Sequence, residues 1–164
     1  MNGRTLSERD QAVAWHPYTQ MLTAAPPVPV VRGEGAWLYL EDGTQILDAI
    51  SSWWVTVHGH AHPYNADAIG AQAHTLEQVI YAGFTHPQAI RLAERIVDKL
   101  PGDLSRVFFS DNGSTAVEVG LKMAWQYYQQ QGEARSRSVA LEGAYHGDTF
   151  GAMAVSGRSV FTRA

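Results

Sequence analysis

Phe108-Phe109-Ser110-Asp111-Asn112-Gly113-Ser114-Thr115-Ala116-Val117-Glu118 is the stretch on which the fold turns. A short apolar strand over residues 107–109 runs into a turn at residues 111–114, where glycine lets the chain reverse sharply. A helix over residues 115–130 follows, with Thr115 and Glu118 spaced as a capping box and Lys122 placed to pair with Glu118 one turn later. The first amides of such a helix, with the hydroxyls of Ser114 and Thr115, point at one spot beyond the strand end, where a phosphate can be held. Taken alone, the stretch reads first as an ordinary capped helix. It is no P-loop, because the Gly-Lys-Ser/Thr element is missing. Gly33-Glu34-Gly35 makes no dinucleotide fingerprint either, lacking a third glycine.

On the far side of the helix, residues 138–141 read as a second strand leading into glycine-rich Glu142-Gly143-Ala144-Tyr145-His146-Gly147-Asp148-Thr149-Phe150-Gly151. There Tyr145 either offers an aromatic face to a ligand or simply packs. On the near side, Ile90, Ala93, Ile96, Val97 and Leu100 recur at helical spacing until Pro101-Gly102 ends the helix. Another helix is expected over residues 64–80, with Ala68, Ile69, Ala73, Leu76 and Ile80 as its apolar stripe. Before His62-Pro63 the pattern changes: strand-like runs at residues 28–31 and 37–40, and an Asp42-Gly43 hairpin signal, predict a small antiparallel meander. Helix, strand, turn, helix, strand is the α/β alternation of a parallel sheet. Only about two such strands are present against the roughly 4–6 of a usual sheet. The sequence therefore reads as a meander over residues 1–60 and the beginning of a larger α/β domain, incomplete, over residues 61–164.

The 164 residues are 45% apolar and 17% charged, a globular balance. A net charge of −4 gives no reason to expect nucleic acid, and the sparse Arg135, Arg137, Arg158 and Arg163 read as solvated surface. There is no cysteine, which excludes a disulfide scaffold and suits a cytoplasmic protein. No secretory signal or membrane-length apolar run is seen.

Two aromatic segments remain. In Ser51-Ser52-Trp53-Trp54-Val55-Thr56-Val57-His58-Gly59-His60-Ala61-His62-Pro63, adjacent tryptophans on a strand face opposite sides, so one can pack while the other walls an apolar ligand. The alternating histidines could hold a metal, but Gly59 and Pro63 indicate a turn and no carboxylate sits close by in sequence, so no metal is expected. In Trp15-His16-Pro17-Tyr18-Thr19-Gln20, Pro17 forces His16 into an extended form. Tyr18 is there a second aromatic wall or plain packing.

Together, from Trp15 to about Gly157, these segments resemble the class III aminotransferases, of pyridoxal-phosphate (PLP) fold type I. The glycine-serine turn and the aromatic-His-Gly loop are shared across that family. The Trp-His-Pro-Tyr-Thr and Ser-Ser-Trp-Trp segments resemble its biotin-biosynthesis branch. The resemblance implies an α/β fold, with residues 1–60 in the small domain and residues 61–164 beginning the large PLP-binding domain. It also implies a cytoplasmic homodimer that moves an amine from S-adenosylmethionine to 8-amino-7-oxononanoate, giving 7,8-diaminononanoate. Gly113 and Ser114 resemble the pair whose backbone and hydroxyl bind the cofactor phosphate, and Tyr145 the ring stacked on the pyridine. Trp53 and Tyr18, with Tyr145, resemble the substrate walls. Asp148 resembles a carboxylate orienting the two tyrosines. The family needs a Schiff-base lysine, and neither Lys99 nor Lys122 lies in a matching segment. The expectation is thus an N-terminal portion with no catalytic residue of its own, inactive alone. Two other readings stay open: a class III enzyme using an ω-amino acid or lysine as donor, and a non-catalytic binding fragment.

Overall fold

The computed structural model describes residues 3–133 and 135–157. Arg158 and Arg163 of the sparse basic group lie outside them. The chain divides into two compact units, Met1–Phe84 and Thr85–Ala164.

The first unit opens with helix α1, Leu6–Gln11, started by a reciprocal capping box between Thr5 and Glu8. The meander follows as β1 (Val30–Glu34), β2 (Trp37–Leu40) and β3 (Gln45–Leu47), antiparallel in the order β1-β2-β3. The expected hairpin joins β2 to β3: Gly43 takes a φ of 87°, and the Asp42 carboxylate accepts from the Thr44 N–H at 2.9 Å. After β3 comes a single turn, Ser51–Trp54 (α2), and then helix α3, Pro63–Thr75, with proline in its first turn. Helix α3 stops where Leu76 turns extended, so Ile80 falls outside the stripe expected for it.

The second unit holds α4 (Pro87–Val97), α5 (Gly113–Gln130) and α6 (Phe150–Ala154). The ring of His86 caps α4 by accepting from the Ala89 N–H. Helices α5 and α6 pack together around Ala152, the one buried apolar residue among those described. Residues 107–109 and 138–141 belong to no strand and have no ladder partner among the described residues, so the parallel pairing expected of them is not formed there. A strand is completed only by a neighbour that takes its N–H and C=O groups.

Much apolar surface is left open. Trp15, Leu22, Trp54, Val139 and Phe150 are each at least 80% exposed. Side chains of this size gain about 1.5–3 kcal/mol each on burial, and the chain's own contacts do not supply it.

Candidate active site

In the second unit the site begins at the start of α5. Asn112, not Thr115, is its cap: the Asn112 Oδ1 accepts from the Thr115 N–H at 3.0 Å, and the Asn112 N–H donates to Thr115 Oγ1 at 3.2 Å. The capping box therefore lies three residues earlier than the Thr115–Glu118 spacing predicts, because Gly113 and Ser114 already have helical backbone. This shift matters for chemistry. It puts Gly113 and Ser114 in the first turn, where their N–H groups have no intrahelical acceptor.

Gly113 has no positive φ, and a Cβ built on it would meet nothing within 4 Å. Neither its conformation nor any neighbour in the chain calls for glycine. It leaves open the space over the Gly113 and Ser114 N–H groups, which have no acceptor within α5, an arrangement suited to an anion. Gly113→Ala is accordingly expected to leave thermal stability unchanged or raised by up to ~1 kcal/mol, while weakening phosphate binding about tenfold or more. Thermal unfolding beside a cofactor titration measures both; equal losses in the two would remove the steric explanation.

Glu118 departs from the sequence expectation. It makes no ion pair with Lys122. Its carboxylate instead accepts from the Thr149 hydroxyl and from the N–H groups of Gly151, at 2.6 Å, and Ala152, which together hold it below the usual carboxylate range. The Ser114 Oγ lies 2.8 Å from the Thr149 Oγ1 and accepts from the Thr149 N–H at 3.0 Å. A carboxylate can only accept, so the Thr149 hydroxyl donates to Glu118 and the Ser114 hydroxyl donates to Thr149. The Ser114 hydroxyl is thus engaged by Thr149, while its N–H has no acceptor within α5.

This relay ties α5 to the loop before α6. The loop is closed at its base by the Gly157 N–H donating to the Ala144 carbonyl at 2.6 Å. Within it the Tyr145 hydroxyl donates to Asp148 Oδ2 at 2.9 Å. Gly147, at a φ of 113°, passes so close to Ser114 that a Cβ would lie 2.5 Å from that residue's Cβ. Gly113, Ser114, Tyr145 and Asp148 thereby line one open cleft of about 670 Å³.

In the first unit Tyr18 and Trp53 meet with ring centroids 5.6 Å apart and planes at 60°. Trp53 borders a cleft of about 400 Å³ shared with His16, Met21 and Asp10. His16 is fixed there by Asp10, 2.6 Å from its Nε2. The strand expected at the tryptophans is not present. Ser51, Ser52, Trp53 and Trp54 have φ values of 49°, 47°, 59° and 70°, a left-handed turn closed by the Trp54 N–H on the Ile50 carbonyl at 2.9 Å. Tyr18 is left-handed too, at 53°. Outside glycine such backbone costs about 1–2 kcal/mol per residue, and it gathers where function imposes it.

Asp48, which the sequence reading passed over, and His60, weighed there only among the alternating histidines, meet at the base of this turn. Thr149 is not singled out there either, and Glu118 reads only as a capping and ion-pair residue. The available signal was the glycines at 33, 59, 147 and 151, placed where these side chains and the backbone beside them come too close for a Cβ, with Gly35 turning at a φ of 56°.

A cradle at a helix start, an aromatic residue tethered to a carboxylate, and an aromatic-walled cleft are the site elements the described residues hold. The class-III aminotransferase family model matches residues 19–163, and the chain belongs to that family. Over 147 residues it is 58% identical to an adenosylmethionine-8-amino-7-oxononanoate aminotransferase of Synechococcus elongatus, covering 90% of this chain and 35% of that protein. The crystal structure of the enzyme so named from Methanocaldococcus jannaschii superposes with a TM-score of 0.87 at 39% identity, over 93% of this chain and 35% of that one. An ω-transaminase from Pseudomonas jessenii in complex with PMP superposes at 0.90 with 27% identity, over 98% and 36%. The chain thus spans about 35% of the length of the relatives it matches. Among the described residues no helix is long and apolar enough to cross a membrane, and no group of three His, Cys, Asp or Glu is placed to hold a metal.

Proposed function

We propose that the chain contributes the phosphate cradle and the aromatic walls of a PLP-dependent aminotransferase of biotin biosynthesis. In this reading the amine passes from S-adenosylmethionine to 8-amino-7-oxononanoate. The observation that carries it is the likeness to relatives of that name across nine-tenths of the chain. Pyridoxal 5′-phosphate, when bound, supplies the electron sink for amino transfer.

The chain's residues suit that group and these substrates. The N–H groups of Gly113 and Ser114 hold the phosphate, with the helix N-terminus favouring its negative charge. The Tyr145 ring would stack on the cofactor ring, with Asp148 holding the tyrosine through its hydroxyl. Tyr18 and Trp53 present apolar faces to the chain of the acceptor and exclude water from it. Lys99 pairs with Asp98 at 2.8 Å at the end of α4, and Lys122 projects from α5 with no tie to the cradle. The lysine that binds the cofactor is therefore supplied outside the segment shared with the relatives. The complete enzyme is a cytoplasmic homodimer in this reading, and the chain alone has no turnover.

The likeness in fold to ω-transaminases favours a second reading, a class III enzyme with another amino donor. The complete gene product, loaded with PLP and given 8-amino-7-oxononanoate, separates the two. Diaminononanoate formed with S-adenosylmethionine is the expected result. Product formed only with lysine or an ω-amino acid moves the assignment to the second reading. No product with any donor overturns both.

A further inference from the structure

The segment between β3 and α3 is held at its base by a hydrogen bond between His60 and Asp48. The His60 Nε2 lies 2.8 Å from Asp48 Oδ2, with the two side chains only 15% and 5% exposed. The same Asp48 oxygen accepts from the Ser52 hydroxyl at 2.7 Å. The backbone closes the base as well: His60 and Gly35 exchange N–H···O=C bonds of 2.7 and 3.1 Å, and the Asp48 N–H donates to the Ala36 carbonyl at 2.8 Å. Three glycines make this approach possible. A Cβ at Gly33 would sit 2.7 Å from the His60 Cβ, and one at Gly59 would sit 3.0 Å from the Gly35 Cα, while Gly35 itself turns at a φ of 56°.

The clamped segment does little else for the fold. Trp53, Trp54, Val55 and Val57 are all more than two-thirds exposed, so packing does not hold the left-handed turn in place. Four consecutive residues other than glycine in that conformation carry several kcal/mol of local cost at about 1–2 kcal/mol each. Only groups that bind the turn can offset it. Asp48 does so directly: its carboxylate takes both the N–H and the hydroxyl of Ser52, besides the His60 ring and the Ile50 N–H, which hold it at about 2 although its partial desolvation would raise it.

Resting on the reading of Trp53 as a substrate wall, we infer that Asp48 and His60 are positioning residues: by clamping the base of the segment and fixing Ser52, they set the left-handed turn that brings the Trp53 ring against Tyr18. They thereby determine how well the apolar acceptor is bound. Asp48 touches neither substrate nor cofactor in this role. It acts through the tryptophan.

A double-mutant cycle in the complete, PLP-loaded gene product tests this. Asp48→Ala is expected to raise the acceptor KM about tenfold with kcat changed less than about threefold, and to leave cofactor absorbance intact. Asp48→Asn, whose amide oxygen can still accept from the Ser52 hydroxyl and the His60 ring N–H but whose NH2 then faces backbone N–H groups, is expected to restore part of the loss. In a Trp53→Ala background, Asp48→Ala is expected to add less than about twofold, because the element it positions is gone. Near-UV circular dichroism of the single variants reads the tryptophan environment without activity, and Asp48→Ala is expected to alter it more than Asp48→Asn. Where Asp48→Ala does not fold, Ser52→Ala enters the same cycle, since it removes one clamp bond only. Effects of Asp48 and Trp53 that multiply, or a fall in kcat with KM unchanged, would overturn the positioning role alone. A Trp53→Ala enzyme with an unaltered acceptor KM would overturn the wall and the clamp together.

Discussion

Gly147→Ala is expected to destabilise the second unit by about 3 kcal/mol and, in the complete gene product, to weaken cofactor retention about a hundredfold. Two costs combine. A φ of 113° is open to glycine and costs another residue on the order of 1–3 kcal/mol. The added Cβ would also meet the Cβ and Oγ of Ser114 at 2.5 Å and its Cα at 2.9 Å. The Cα cannot swing away as a side-chain tip could, so the loop has to lift from α5. Lifting it separates Thr149 from Ser114 and Tyr145 from the cradle, the contacts the phosphate and ring sites share. Gly132→Ala is the control: it has a φ of 76° and open space around it, so only the conformational part remains, about 1 kcal/mol. Thermal unfolding of both variants, with cofactor absorbance after gel filtration, measures the difference. Equal effects at the two glycines would show that conformation alone matters and that the Ser114 contact does not.

Gly33→Ala is the complementary case, all contact and no conformational cost. Gly33 lies in β1 with ordinary strand backbone, where alanine is otherwise tolerated. Its Cβ would stand 2.7 Å from the His60 Cβ and 2.9 Å from its Cγ, atoms tied closely to the backbone. His60 must move, which breaks the Gly35–His60 bridge and draws the ring from Asp48. The expected cost is about 2 kcal/mol of stability in the first unit, typical of overpacking. Its signature is a loss of the Trp53 environment in near-UV circular dichroism. Retention of PLP is expected to change little, because Gly113, Ser114 and Tyr145 all belong to the other unit. A variant that lost cofactor and tryptophan signal together would contradict that separation of roles.

The contrast between these glycines shows how far the sequence could be read. Composition marks them all alike. The Asp42-Gly43 turn was legible because hairpin chemistry is local: two residues and a positive φ specify it. The helix at Gly113–Gln130 was legible for the same reason, through its polar start and its length. Its cap was misplaced by three residues because Asn112 and Thr115 both cap well, and only the backbone of Gly113 and Ser114 decides between them. Glu118 four residues before Lys122 is a sound local pair. The N–H groups of Gly151 and Ala152, more than thirty residues on, outbid it, since a carboxylate gains more from several converging donors than from one solvated ammonium.

By itself the sequence carried the family through its resemblance, and it carried the meander and the three longer helices, because hairpin and helix signals are written in spacing over a few residues. Tertiary structure alone decided the left-handed turn at Ser51–Trp54. No local preference selects four such residues in a row, and Trp53-Trp54 beside Val55 reads as a strand on propensity. The turn exists because Asp48, at the end of one strand, meets His60 twelve residues later across glycines that let the backbones touch. The engagement of the Ser114 hydroxyl has the same origin, in Thr149 and Glu118. Contacts between distant residues outweigh local propensity wherever they satisfy buried polar groups that the local structure leaves open.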